Sequence, residues 1–103
     1  MNLLHEIPDA RNGEIVEPIL AVPGVRIERV VSFGPEGFWY DQEEAEWVLL
    51  LAGAARLRFA DEAEARPLAP GDCLYIAAHR RHRVDWTDPR QPTLWLAVFH
   101  RGI

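Results

Sequence analysis

Gly71-Asp72-Cys73-Leu74-Tyr75-Ile76-Ala77-Ala78-His79-Arg80-Arg81-His82-Arg83-Val84-Asp85-Trp86 carries the pattern from which the fold can be read. Pro70 precedes it, and Pro-Gly-Asp is a turn signal. A short apolar run follows, Cys73 to Ala77. Then His82, Val84 and Trp86 alternate with Arg81, Arg83 and Asp85. Alternation of period two marks a strand buried on one side. The pattern turns His82 toward a core while its charged neighbours face water. Such an imidazole is either a hydrogen-bonded core residue or a ligand for a metal or small molecule.

The same kind of reading extends in both directions. Downstream, Thr87 to Pro92 is a loop, and Thr93 to His100 is apolar on both faces, as in a strand inside a sandwich or barrel. Upstream, residues 43–52 are rich in helix formers, yet Val48 to Leu51 is a continuous apolar run with no polar face. Gly53 follows, and then Ala55, Leu57 and Phe59 alternate with Arg56 and Arg58. Two strands joined near Gly53 fit better than a helix. Residues 60–64 form a polar connection, and Arg66 to Pro70 leads into the Pro-Gly-Asp turn. Phe38 to Gln42 reads as a short aromatic strand, and Gly34-Pro35-Glu36-Gly37 as a turn. Val25, Ile27, Val31 and Phe33 share a strand face that Arg29 interrupts. Residues 1–24, punctuated by Pro8, Gly13, Pro18 and Pro23-Gly24, read as a lead-in of weak local structure, with the domain spanning residues 25–103. Seven or eight short strands without a helix predict an all-β sandwich or closed barrel. The two-sided apolar character of residues 47–51 and 93–100 predicts a homodimer that covers one sheet.

At 103 residues the chain is one domain, long enough for one core. A net charge of −5 and a pI near 5.3 argue against a general nucleic-acid partner. No apolar run is long enough for a membrane helix. The N-terminus lacks the basic start and apolar stretch of a signal peptide. Cys73, the single cysteine, cannot form an internal disulfide, and a reducing cytoplasm is the simplest setting. It is expected to be buried and inert.

The chain also carries two glycine-framed blocks. In the first, five residues separate Gly34 from Tyr40, one separates Tyr40 from Gln42, three separate Gln42 from Glu46, and six separate Glu46 from Gly53. In the second, five separate Gly71 from Ala77, one separates Ala77 from His79, and two separate His79 from His82. This arrangement resembles the two motifs of the cupin superfamily and, in wording, a group of small single-domain bacterial cupins. The family has histidines at the positions of Tyr40 and Gln42, a glutamate at Glu46 and a third histidine at His82. The resemblance implies a cupin-like double-stranded β-helix, a jelly-roll barrel of two antiparallel sheets, with a site inside it. It departs from the pattern at Tyr40 and Gln42, and also at Ala77, His79 and Trp86, where proline, glycine and asparagine are usual.

Gln42, Glu46 and His82 are the implied ligands of a divalent metal ion such as Zn, Fe, Mn or Ni. They offer an amide oxygen, a carboxylate and an imidazole nitrogen. The same Glu and His could instead satisfy each other by hydrogen bonding. Tyr40, His79 and Trp86 are further pocket candidates. Trp86 shares a strand face with His82, while His79 sits between strands beside Arg80 and Arg81, which favours a surface turn. Two functions are consistent with this. One is a small-molecule-binding, metal-assisted enzyme of isomerase, lyase or dioxygenase type. The other is a metal-free, non-catalytic binding or dimeric interaction module.

Overall fold

The computed structural model describes residues 1–34 and 37–101, so Pro35 and Glu36, the centre of the expected turn, lie outside the described residues. The described residues contain eight strands and no helix. They are β1 (Ile15–Val22), β2 (Val25–Ser32), β3 (Ala45–Ala52), β4 (Ala55–Phe59), β5 (Arg66–Leu68), β6 (Cys73–Ile76), β7 (His82–Thr87) and β8 (Thr93–His100). One sheet has the order β1-β2-β8-β3-β6 and the other β5-β4-β7, with all pairings antiparallel. This is the all-β, two-sheet architecture that the alternation predicts. The β3–β4 turn depends on Gly53, which has φ 90°. A Cβ there would lie 2.7 Å from Thr93 Cα and 2.9 Å from the Pro92 carbonyl oxygen, so a larger residue has no room.

The strands β3 and β8 are apolar on both faces because both faces are covered. Inside the barrel, Val48, Leu50, Leu57, Phe59, Ile76 and Trp95 form the main core between the sheets. On the outer face of the large sheet, Val31 and Leu94 form a second core with Ala10, against which Ile7, Ile15, Phe33, Leu51 and Ala52 pack. The N-terminal segment is therefore the cover on that side. The coverage that the sequence assigns to a second subunit comes from the chain itself.

Two local expectations change, and the orientation of β2 is settled. The lead-in of weak structure contains β1, paired with β2 from Ile15↔Val31 to Val22↔Val25. Its signal is faint because it is an edge strand whose side chains are mostly exposed, with an irregularity beside Pro18. Proline lacks the ladder donor, and an edge tolerates that loss. Phe38 to Gln42 makes only one bridge, Tyr40↔His82, and is not a strand. The face holding Val25, Ile27 and Val31 is the outer face of β2, so it is Arg26, Glu28 and Val30 that look into the barrel.

Arg29 does not interrupt that outer face; it organises it. Its side chain is 2% exposed. Nε and Nη2 donate to the Glu17 carboxylate at 2.7 and 3.0 Å. Nη1 donates to the carbonyl oxygens of His5 at 2.8 Å and Leu3 at 3.2 Å, and Nη2 to that of Glu6 at 3.1 Å. One guanidinium thus ties β1 and residues 3–6 to β2 through a donor fork that lysine cannot reproduce. Glu17 holds its own carboxyl below the ordinary range through the Arg29 hydrogen bonds. Removing the guanidinium would leave the carbonyl oxygens of Leu3, His5 and Glu6 without their donor and the partly exposed Glu17 without its partner. Arg29→Ala should therefore lower stability by about 2–4 kcal/mol in urea unfolding. Faster hydrogen exchange should spread over residues 15–22. An unchanged urea midpoint would refute this role.

Candidate functional site

One end of the barrel interior remains open as a cavity of about 240 Å³. Its floor is apolar: Val30, Val48, Leu57, Ile76, Val84, Trp95, Ala97 and Phe99. Its polar groups are Glu14, Arg26, Glu28, Tyr40, Gln42, Glu46 and His82. Tyr40, Gln42, Glu46 and His82 thus come together around one space, although they lie far apart in the sequence. Glu46 is on β3, where it pairs with Ile76 of β6 and Phe99 of β8, and His82 opens β7. The two backbone bonds of the Tyr40–His82 bridge, at 2.8 and 3.1 Å, bring the residue 38–42 loop alongside. The Tyr40 and His82 rings stack with centroids 5.7 Å apart.

The polar geometry is compact. Gln42 Nε2 donates to Glu46 Oε1 at 3.1 Å, and His82 Nε2 lies 3.8 Å from that same oxygen. His82 Nδ1 is 2.9 Å from the Arg80 carbonyl oxygen. A carbonyl only accepts, so the proton sits on Nδ1 of the neutral ring and Nε2 keeps its lone pair toward the cavity. Burial of the carboxyl pushes the Glu46 pKa up to about 7, against the opposing pull of the Gln42 hydrogen bond and the Arg26 charge. Burial also lowers the His82 pKa, with the Arg80 carbonyl opposing. Near neutral pH the pair therefore holds a half-titrated acid beside a neutral base.

The donor set can be tested against a divalent ion. His82 turns Nε2 to the cavity while its other nitrogen is held by the Arg80 carbonyl, which fixes the ring as it does in many ligating imidazoles. Among the described residues no three or more His, Cys, Asp or Glu side chains converge. His82 and Glu46 are the two such side chains that would hold a divalent ion here, and Gln42, which turns its Nε2 to Glu46, would have to turn its amide oxygen inward to join them.

Two pocket candidates fall elsewhere. His79 has φ 61°, is well exposed, and meets Asp41 Oδ1 through Nδ1 at 2.8 Å. It fastens the β6–β7 turn to the residue 38–42 loop, the surface-turn role favoured by its neighbours. Trp86 does not line the cavity. Leu57 pairs with Val84 while Arg56 pairs with Trp86, so Asp85 is an extra residue in β7. This bulge reverses the parity beyond Val84 and puts Trp86 outside, 5.0 Å from the Arg56 guanidinium. The indole in the wall is that of Trp95, whose Nε1 donates to Ser32 Oγ at 3.2 Å. Arg26 and Glu28 also escaped the sequence reading, although Arg29 in their strand was a signal that the opposite face was the inner one. Cys73 is exposed rather than buried, because it begins the edge strand β6.

The Glu46 pKa has a consequence for stability. A carboxyl with an ordinary value of 4.5 and a folded value of about 7 stabilises the fold fully below pH 4.5, and that stabilisation is lost as pH rises through 7. Glu46→Gln should be spared this loss. Between pH 5 and 8 the variant should gain about 2–3 kcal/mol on the wild type in denaturant unfolding. His82, buried neutral, acts oppositely below its ordinary value of 6.5 and does so in both proteins. A stability difference that stays constant with pH would show that Glu46 titrates as a solvated carboxyl.

Comparison with known proteins fits this architecture. No protein of curated function matches. Among solved structures, a Ralstonia eutropha JMP134 protein named "putative mannose-6-phosphate isomerase" is 42% identical, with 99% of this chain and 97% of that one covered and a TM-score of 0.93. KdgF from a Halomonas species is 20% identical, covering 100% and 94% of the two chains, with a TM-score of 0.77. An RmlC-like cupin with a double-stranded β-helix fold from Methanocaldococcus jannaschii is 15% identical, covering 92% and 86%, with a TM-score of 0.72. At those identities the last two speak for the fold alone. The family model for the cupin domain matches residues 31–99, most of the barrel, and the chain belongs to the cupin family.

Proposed function

We propose that this cupin binds a small oxygen-rich molecule in the barrel and catalyses isomerase-type proton transfer. The observation that supports it is the pairing of a buried carboxyl of pKa about 7 with the unprotonated Nε2 of His82 at the cavity. A general base works best when its pKa lies near the working pH. In the reaction, the Glu46 carboxylate takes the proton from the carbon beside a carbonyl and returns it to the former carbonyl carbon. His82 Nε2 takes the neighbouring hydroxyl proton and passes it to the former carbonyl oxygen. Two protons move, no electrons leave, and the product is the isomer with carbonyl and hydroxyl exchanged. The name of the Ralstonia protein points to the same reaction class.

A second reading draws on the anchoring of His82 Nδ1 by the Arg80 carbonyl. In it, His82, Glu46 and Gln42 would hold zinc, iron, manganese or nickel, which would supply Lewis acidity at a substrate oxygen. Metal analysis of the untagged protein separates the readings. Stoichiometric metal, lost in His82→Ala, favours the second. Metal-free protein that still turns over favours the first.

The reaction is tested by incubating the protein in D₂O with a panel of unphosphorylated aldoses, mannose first, and following deuterium at the carbon next to the carbonyl by NMR. Exchange should fall by about 10²–10⁴-fold in Glu46→Gln and in His82→Ala while both remain folded by circular dichroism. Wild-type protein without exchange on any member of the panel would overturn the isomerase reading and leave a binding module.

We also propose a homodimer that pairs through β1. Ile19, Leu20 and Val22 of this edge strand are 40–49% exposed, while Val16 lines the cavity. Exposed apolar side chains at a free edge invite a partner. Light scattering should give twice the 11.8 kDa chain mass, and Leu20→Glu should shift it to the monomer. A monomer mass for the wild type across the micromolar range would exclude this interface.

A further inference from the structure

We infer that the cavity is built against phosphorylated ligands and takes a small molecule whose outward end is uncharged or cationic. The inference rests on reading the cavity as the ligand site. Among the described residues lining it, Arg26 is the one permanently positive side chain, whereas Glu14, Glu28 and Glu46 all carry carboxyl groups. Arg26 is already committed. Its Nη1 lies 2.6 Å from Glu28 Oε2. Nη2 and Nε donate to the Glu44 carboxylate at 2.8 and 3.2 Å. Its guanidinium carbon also stands 3.8 Å from the centre of the Phe99 ring. Two carboxylates therefore outweigh the one guanidinium before any ligand arrives.

Recognition of a phosphate ester relies on an uncommitted arginine or lysine fork or on a helix N-terminus. The described residues contain no helix. The other cluster of arginines, Arg58, Arg81 and Arg83, surrounds the Trp39 ring at 5.3–5.5 Å and contributes nothing to the cavity lining. A dianion entering the cavity would meet the Glu28 carboxylate and find the charge of Arg26 already matched, in surroundings where close charges interact strongly. The apolar floor adds that the body of the ligand presents carbon to the wall. The phosphate implied by the Ralstonia protein's name is thus not what this cavity selects.

The test uses the full-length protein as purified and three probes with one apolar body: benzyl alcohol, benzylamine and benzyl phosphate. Binding is read from the NMR signals of the Trp95 indole N–H and the His82 ring. Benzyl alcohol and benzylamine should bind, and benzyl phosphate should be at least about tenfold weaker. Glu44→Gln, and separately Glu28→Gln, should narrow that gap by freeing part of Arg26. Metal content is measured on the same sample, and the series is repeated after chelation. Benzyl phosphate binding tightest in both samples overturns the inference while the ligand-site reading stands. Benzyl phosphate binding tightest only before chelation overturns it in favour of the metal-assisted reading. If neither these probes nor mannose moves Trp95 or His82, the ligand-site reading falls, and the inference with it; if mannose alone moves them, the inference falls while that reading stands.

Discussion

A sheet that is apolar on both faces must be covered on both, and the rest of this molecule follows from how that is done. The strands β3 and β8 carry Val48, Leu50, Trp95 and Ala97 inward and Leu51 and Leu94 outward. The small sheet covers the first face and the N-terminal segment the second. The Arg29 fork supplies the fastening on the outer side, where backbone carbonyls that would otherwise need water are gathered onto one buried cation. Charge serves here as a structural clamp in a place where pattern reading expects a hydrophobe.

With the outer face sealed by the chain itself, the inner face can leave one end unfilled. That open end is where the polar residues collect. The cost of burying Glu46 is met by letting it keep its proton, by the Gln42 amide and by the nearby Arg26 charge, rather than by a full ion pair. Its pKa therefore settles in the range useful for proton transfer. The same burial that shapes the barrel core thus sets the chemistry of its mouth, and stability at neutral pH is partly given up to keep it.

Much of this was legible in the sequence, and the exceptions have particular causes. The run Val48 to Leu51, the turn at Gly53 and the apolar β8 announced themselves because period, length and punctuation agreed. The convergence of Tyr40, Gln42, Glu46 and His82 was legible through motif spacing, which no local pattern could have supplied. The strand β1 was not legible, because an exposed edge with Pro18 has no alternation to show. The shared face of Val25, Ile27 and Val31 was legible, but not that it is the outer one, because Val31 belongs to a second core outside the barrel. Trp86 was placed in the wall because alternation was extended through Asp85, where the ladder gains a residue. Parity arguments carry only as far as the next bulge.

That extra residue gives the family member an evolutionary dial. Deleting Asp85 would make Val84 and Trp86 consecutive, opposite Leu57 and Arg56, and so keep the indole outside. A residue added to β4 opposite Asp85 would instead remove the bulge, carry alternation unbroken to Trp86 and turn the indole inward. The wall of the chamber can thus be altered in one step by a change in the length of β4, while a shortened β7 leaves it as it is.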